Sequence, residues 1–434
     1  MSGRGDEATG PGDQATIRGG RERPPRAPGA DAWALDPRVV FLNHGSFGAR
    51  PKVVLEAQAR VRAELEANPV AFFGRALEAR LDDARARLAA FVGADADDLA
   101  FLPNATAGIA TVLRSLRFGP GDEIVTTDHE YNAALNMLRF AAARDGARVV
   151  IARLPLPVSG PDEVVERVLA ATGPRTRLAM LSHVTSPTAL VLPVERLVAA
   201  LEGRGVAVLV DGAHGPGMLP LDLAALGASW YAGNLHKWVC APPGAAFLHA
   251  RRDRRPAIRP LAISHGANDP RPARSTFRKE FDWTGTADPS PALAVPAALD
   301  AVASLLPGGW PAIMARNAAM AVAARRLLLA VAGRPAIAPE AMLGSMAAVE
   351  LPPDPGFGTR GAGDRDPLAA RVAAAGIEVP VHAWPRDPVP GERRRRLLRV
   401  SAHLHNDPRE HAYLAAVLRD LLADEGAPPA PHGT

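Results

Sequence analysis

Cysteine and lysine are scarce in this chain of 434 residues: Cys240 is the one thiol, and only Lys52, Lys237 and Lys279 among the fifty basic residues are lysines. One cysteine excludes an intrachain disulfide and removes C-x-x-C and zinc-finger readings, so no metal site is expected. Aromatic residues make up 5% of the chain, and no basic stripe interleaved with them is visible. The net charge of +4 comes from widely scattered arginines, with local runs at Arg251–Arg255 and Arg393–Arg396. Nucleic acid is therefore not an expected partner. No apolar run is long enough to span a bilayer. The first thirty or so residues lack the apolar stretch of a signal peptide. No G-x-G-x-x-G follows a strand and opens a helix, which argues against a nicotinamide enzyme. The matching expectations are no membrane, a cytoplasmic location, and disordered tails over 1–34 and 426–434.

What is present is a soluble composition, 47% hydrophobic and 22% charged, long enough for a large domain with a smaller companion. Apolar runs without polar alternation recur between helical patterns from Leu99 to His249. That arrangement predicts an α/β fold with a mostly parallel sheet covered on both faces. Such sheets hold ligands beyond the carboxyl ends of their strands. From Pro311 onward a long helix, strands near Ala347–Leu351 and Ile377–Val381, and a final helix at Pro408–Leu422 predict a smaller α+β domain. The division read from these patterns is 35–295 for the large domain, with 35–50 as its substrate-side segment, and 296–425 for the small one. Asp354–Asp366, rich in Gly and Asp, reads as a mobile loop.

The chain is organised around Val206–His249. The apolar run Val206–Val210 delivers Asp211 at its end, and Trp230–Ala232 leads into Gly233–Asn234–Leu235–His236–Lys237. A carboxylate at one strand end and a lysine after the next suit pyridoxal phosphate: the lysine amine makes the Schiff base, and the carboxylate keeps the pyridinium nitrogen protonated. Of the three lysines, Lys237 alone sits among apolar strand candidates, where burial favours the neutral, nucleophilic amine.

Asp211, His214 and the Asn234-x-His236-Lys237 run resemble the cofactor signature of the class V aminotransferase family, and the wording Gly233-Asn-Leu-His-Lys-Trp238 most resembles its isopenicillin N epimerase branch. The resemblance extends over roughly Leu35 to Asp424. It implies the type I fold of pyridoxal-phosphate enzymes, with a seven-stranded sheet. The helix opening at Ala105 and Thr106 offers backbone N–H groups to a phosphate; an ordinary cap would look the same, and the resemblance assigns it to the cofactor phosphate. Tyr131 is favoured as the ring stacked on the cofactor, with His129 as the second choice. Ser186, in His183-Val-Thr-Ser-Pro-Thr188, corresponds to a loop near the phenolic oxygen of the cofactor. Gly285 and Thr286 correspond to a pair that reaches the phosphate of a neighbouring subunit, which implies a homodimer.

For the substrate, the resemblance points to Asn43, His44 and Gly45 in the Asn43-His-Gly-Ser-Phe-Gly48 turn. It also points to Arg399, whose planar fork suits a carboxylate. His405 stands where the family pattern has tyrosine. The expected partner is thus an amino acid or peptide, and the expected catalytic pair is Lys237 with Asp211. Return of the Cα proton on the opposite face would give epimerisation, and His44, His405 and Tyr131 are the candidates to carry that proton. Carbon–sulfur lysis and transamination are the alternatives on the same scaffold. A persulfide-forming desulfurase needs a mobile cysteine, and none lies between Asp354 and Arg399.

Overall fold

The computed structural model describes residues 22–354 and 366–426. The expected tails lie in part outside the described residues, as does most of the Asp354–Asp366 loop. Where the first tail is described, at 22–34, the expectation of disorder is corrected. Trp33 is 2% exposed and packs edge-on against the rings of His403 and His405. Burying an aromatic ring is worth about 2–3 kcal/mol, enough to hold this segment against the body.

In chain order the described strands are β1 (Val40–Phe41), β2 (Leu99–Leu102), β3 (Glu123–Thr127), β4 (Arg148–Ala152), β5 (Thr176–Ser182) and β6 (Ala207–Gly212). They continue with β7 (Trp230–Asn234), β8 (Ala246–Ala250), β9 (Met346–Leu351), β10 (Ile377–Glu378), β11 (Val381–Trp384) and β12 (Arg395–Ser401). Seven of them form one sheet in the order β2-β8-β7-β6-β5-β3-β4. Every pairing is parallel except those of β8, which runs antiparallel to both β2 and β7. Period-two alternation sends Leu178 and Met180 to one core with Trp230 and Leu248. Ala179 and Leu181 go to the opposite core with Val208, Val210 and Phe247. Both faces are buried, which is why these strands read as unbroken apolar runs.

β2, β3, β5, β6 and β7 run the same way. Leu102, Thr127, Ser182, Asp211 and Asn234 therefore arrive at one edge of the sheet, where the chain must turn and polar groups collect.

Three of the remaining strands form the sheet β11-β12-β9, antiparallel throughout and backed by helices Gly309–Ala332 and Pro408–Gly426. The single strand expected near Ile377–Val381 divides in two at Pro380, which has no N–H for a ladder. β10 pairs with β1, and β11 pairs with β12. The first of these pairings changes the reading of 35–50. Val40 and Leu42 are buried in the core of the C-terminal part, beside Val349 and Leu398. The segment is thus anchored in the small substructure and reaches the cavity from there. Among the described residues, no single helix is long and apolar enough to cross a membrane.

Candidate active site

At this edge lies a cavity of about 410 Å3, lined by Lys237, Asp211, His214, Arg399, Tyr131 and Thr106 among others. Lys237 follows β7. Burial, reinforced by the charge of Arg399 and opposed by Asp211, lowers its amine from the ordinary 10.5 to about 7.

Hydrogen-bond direction supports the same state. The indole Nε1 of Trp238 can only donate, and it lies 3.3 Å from His214 Nδ1. That nitrogen must then be the acceptor, so the neutral imidazole carries its proton on Nε2, which is 3.1 Å from Lys237 Nζ. Burial, followed by the charges of Lys237 and Arg399, holds His214 well below its ordinary pKa and hence neutral. A donor facing Nζ requires the amine lone pair, which only neutral lysine has. Lys52 is exposed, and Lys279 donates to the carbonyls of Asp269 and Arg271, away from the cavity.

Asp211, at the end of β6, is 4% exposed, and the one hydrogen bond its carboxylate makes among the described residues is accepted from Ala213 N–H at 3.0 Å. Burial raises its pKa, with the Ala213 bond and Lys237 acting the other way. A buried carboxylate this thinly satisfied invites a charged donor. The complement is Arg399 on β12, 2% exposed and with no carboxylate in ion-pair range among the described residues. Its Nη1 donates to Ser186 O at 2.6 Å, its Nη2 to Ser46 Oγ at 2.8 Å and, more weakly, to Asn43 Oδ1 at 3.4 Å. Its Nε is buried without a partner. Burial lowers even this guanidinium to about 10. A desolvated guanidinium without a counter-ion is a site for an anion.

The expected residues do not all converge. Gly45, Thr106, Ser186, Asn234 and His236 line the cavity with those above. Ala105 is there too, but Asn234 Oδ1 accepts its N–H at 2.8 Å, so the carboxamide secures the helix Ala105–Ser115 from within and leaves Thr106 to face a ligand. His129 is fully buried behind the cavity, bonded to Thr188 Oγ1 and Leu154 O and packed on Trp384. Tyr131 is the ring in the cavity, 49% exposed. Gly285 and Thr286 are exposed and do not line the cavity.

His44 and His405 lie beneath the lysine loop, away from the cavity. Lys237 O accepts from His44 Nε2 at 3.0 Å, so His44 Nδ1 accepts from His405 Nε2 at 3.1 Å. Their role here is to hold the lysine backbone. Cys240 joins them: its Sγ, His44 Nε2 and His403 Nε2 fall within 4.8 Å of one another. The two imidazoles are stacked, 4.1 Å apart and 16° from parallel. An ion between them would lie outside both ring planes, where the nitrogen lone pairs do not point.

The model of the class-V aminotransferase family matches residues 40–352. The chain belongs to the class-V aminotransferase family. It is 39% identical to the isopenicillin N epimerase of Amycolatopsis lactamdurans over 413 residues, 90% of this chain and 99% of that protein. It is 31% identical to the probable chloroplastic L-cysteine desulfhydrase of Arabidopsis thaliana, covering 90% and 84%. A solved variant of C-DES, with glycine covalently linked to its PLP cofactor, superposes with a TM-score of 0.73 at 24% identity, covering 88% of this chain and 97% of that one. This class-V protein is therefore an enzyme of the type I fold, and its cofactor is pyridoxal 5'-phosphate.

The residues of the cavity fit that cofactor. The under-satisfied Asp211 matches a protonated ring nitrogen, the neutral Lys237 amine matches an aldehyde, and the helix N-terminus at Thr106 with the neighbouring His236 matches a phosphate. Sequence reasoning missed several lining residues of this class-V site, among them Ser46, Ser182 and His382. Ser46 lay inside a quoted motif. His382 comes from β11, and it enters only because β11 pairs with β12 beside Arg399.

Proposed function

We propose that this class-V enzyme inverts the configuration at Cα of an amino acid or a peptide bearing an α-amino acid head. The observation that carries the reading is the pairing, in one cavity, of a neutral lysine amine with a buried arginine that has no acid partner among the described residues. The epimerase relative at 39% identity supports it over nearly the full length of both chains. Bound pyridoxal phosphate supplies an aldehyde to capture the substrate amine and a ring that accepts the electron pair released at Cα.

The protein's own groups do the rest. Arg399 binds the α-carboxylate and thereby orients the Cα–H bond. Lys237 takes the Cα proton on its side as general base. Tyr131 is the one of the three candidate proton carriers that lines the cavity, and its phenol gives a proton to the other face. After product leaves, solvent carries the proton from Lys237 back to the phenolate, so protons balance over the cycle. Asp211 keeps the cofactor ring positive throughout.

Carbon–sulfur lysis at Cβ is the second reading, favoured by the plant desulfhydrase relative. It uses the same Lys237 step and dispenses with Tyr131 as donor. The enzyme works as a homodimer on this proposal, with Gly285 and Thr286 meeting the site of the partner. Their exposure, away from their own cavity, supports it.

The deciding experiment incubates holoenzyme with candidate substrates in heavy water and follows Cα by proton NMR with chiral analysis. Deuterium at Cα with inverted configuration is expected. Tyr131→Phe should keep exchange while reducing inversion about a hundredfold or more, as for loss of a general acid. Loss of the Cβ substituent in the wild type, or undiminished inversion in the variant, would count against the epimerase scheme. Lys237→Ala should abolish all of these reactions.

A further inference from the structure

Glu130 is a buried acid that the proposed reaction does not use. It stands in the turn after β3, is 4% exposed, and lines a second cavity that adjoins the active site at Tyr131, Ser186 and His382. No cation balances it. Arg139 and Arg153, which border the same cavity, are paired with Asp387 at 2.6 Å and Asp128 at 3.6 Å, and no arginine or lysine lies in ion-pair range of Glu130 among the described residues. Its partners are neutral donors. Oε1 accepts from Thr127 Oγ1 at 2.8 Å and from the Ser182 N–H at 3.2 Å, while Oε2 faces Ser182 Oγ. The Thr127 hydroxyl itself accepts the His129 N–H, so its hydrogen is free for Glu130.

Ser182 closes β5 and is paired in register with Asp211 on β6, so both side chains stand on the same face, and both line the active-site cavity. Two buried carboxyls thus lie on either side of one serine. Asp211 is the one that pyridoxal phosphate requires as an anion, to hold its ring nitrogen protonated. A second buried anion beside it, without a cation, is costly, and taking up a proton removes the cost. Burial lifts the Glu130 carboxyl to about 7; the Ser182 bonds work against this, the charge of Asp211 reinforces it, and the Thr127 bond works against it. The other titratable groups nearby do not reverse the balance. His129, His183 and His382 are kept neutral by burial, and burial raises Asp128 to about 6. Arg399 points to Ser186, Ser46 and Asn43 instead. The hydrogen bonds also fix where the proton sits. Oε1 already accepts twice, so the acid hydrogen lies on Oε2 and donates to Ser182 Oγ. The serine then gives its own hydrogen to the cavity, since its hydroxyl has no further partner among the described residues.

We propose that Ser182 is a hydrogen-bond donor to the bound cofactor, and that Glu130, as a neutral acid, is the positioning residue that makes it one. The acceptor such a donor suits is the phenolic oxygen, because the protonated ring nitrogen is itself a donor to Asp211. A donor there draws charge from the oxygen and lowers the proton affinity of the neighbouring Schiff base. The inference concerns the resting holoenzyme and holds whichever reaction follows.

The test follows the pH dependence of cofactor absorbance in resting holoenzyme. Ser182→Ala removes the donor and should raise the pKa of the Schiff base by about one unit, the effect of one hydrogen bond to a charged group. In Glu130→Gln the carboxamide keeps the neutral pattern: its oxygen accepts from Thr127 and its N–H donates to Ser182. The pKa should therefore stay within a few tenths of the wild-type value. An ionised Glu130 predicts a different outcome, because glutamine would then newly release the Ser182 hydrogen to the cavity and lower the pKa. A third readout uses wild-type holoenzyme labelled with carbon-13 at its glutamate carboxyls. At about pH 6, where exposed glutamates are ionised, an infrared carbonyl band of a protonated acid is expected, and Glu130→Gln should lack it. An unchanged pKa in Ser182→Ala, a fall of about one unit in Glu130→Gln, or absence of the wild-type band would each overturn the proposal. If Glu130→Gln loses its cofactor, Ser182→Ala and the wild-type band decide.

Discussion

The indole of Trp238 has a single polar hydrogen, and the consequences of where it points reach Lys237. With that hydrogen on His214 Nδ1, the imidazole presents Nε2–H to the amine and disfavours the ammonium form. Trp238→Phe removes the constraint. His214 can then carry its proton on Nδ1 and offer a lone pair to protonated Lys237. In cofactor-free enzyme the pKa of Lys237, about 7 in the wild type, should rise by about one unit or more. The pH dependence of its reaction with an amine-modifying reagent reads this directly. In both proteins reactivity increases as pH rises through the lysine pKa, so the variant curve should shift to higher pH. Nitrogen-15 NMR of labelled histidine should show the tautomer change at His214. An unaltered tautomer together with an unaltered lysine pKa would refute this coupling.

At the level of elements, the active site depends on the closeness of two backbone segments far apart in sequence. Gly48 ends the short helix His44–Phe47 with φ of 74°, and a Cβ there would run into the carbonyl oxygens of His236 and Lys237. The turn at 43–48 is thus glycine-rich because it must approach the lysine loop itself. β1 brings it there from the small substructure, and His44 then bonds Lys237 O. Gly48→Ala combines a left-handed φ with this collision. The expected cost is about 3 kcal/mol of stability, measured as a lower denaturant midpoint, together with weaker cofactor retention because the lysine loop is displaced. A variant with the midpoint and cofactor affinity of the wild type would show that the two segments are not in contact in solution.

Over the whole molecule, ten of the twelve histidines have pKa values lowered by burial, His129, His183 and His411 to about 4. A histidine depressed in the folded state binds its proton more readily when unfolded. Its neutral form therefore favours folding fully above about 6.5, and that contribution is lost as pH falls towards 4. Between pH 7 and pH 5 each such buried imidazole costs the fold up to about 2 kcal/mol, against a total stability of about 5–15 kcal/mol. Asp128, Glu130 and Asp211, raised by burial, oppose this because they keep their protons longer in the folded state. Histidines outnumber them, so the thermal midpoint should fall by about 10 °C or more between pH 7 and pH 5. A flat profile over that range would mean that these imidazoles are wet rather than buried.

From sequence alone, the parallel sheet, the smaller α+β part and the Asp211–Lys237 pair could be read. Their signals are local: apolar runs of strand length, polar residues at their ends, and one lysine set among such runs. Arg399 was recognisable only through its motif, since composition could not separate it from the many arginines that form ion pairs. Its distinguishing property, burial without an acid, exists only once β12 is paired on both sides. The same holds where the readings failed. His44 and His129 have the residue type for a cavity, but three-dimensional packing turned the first under the lysine loop and the second behind Trp384. Ala105 gave its N–H to Asn234, 129 residues away, and residues 22–34 became ordered because Trp33 found a pocket of imidazoles. Local patterning along the chain determined which elements form and which chemistry they carry. Long-range pairing alone decided which side chains face the cofactor cavity, because burial and hydrogen-bond partners are properties of neighbours in space.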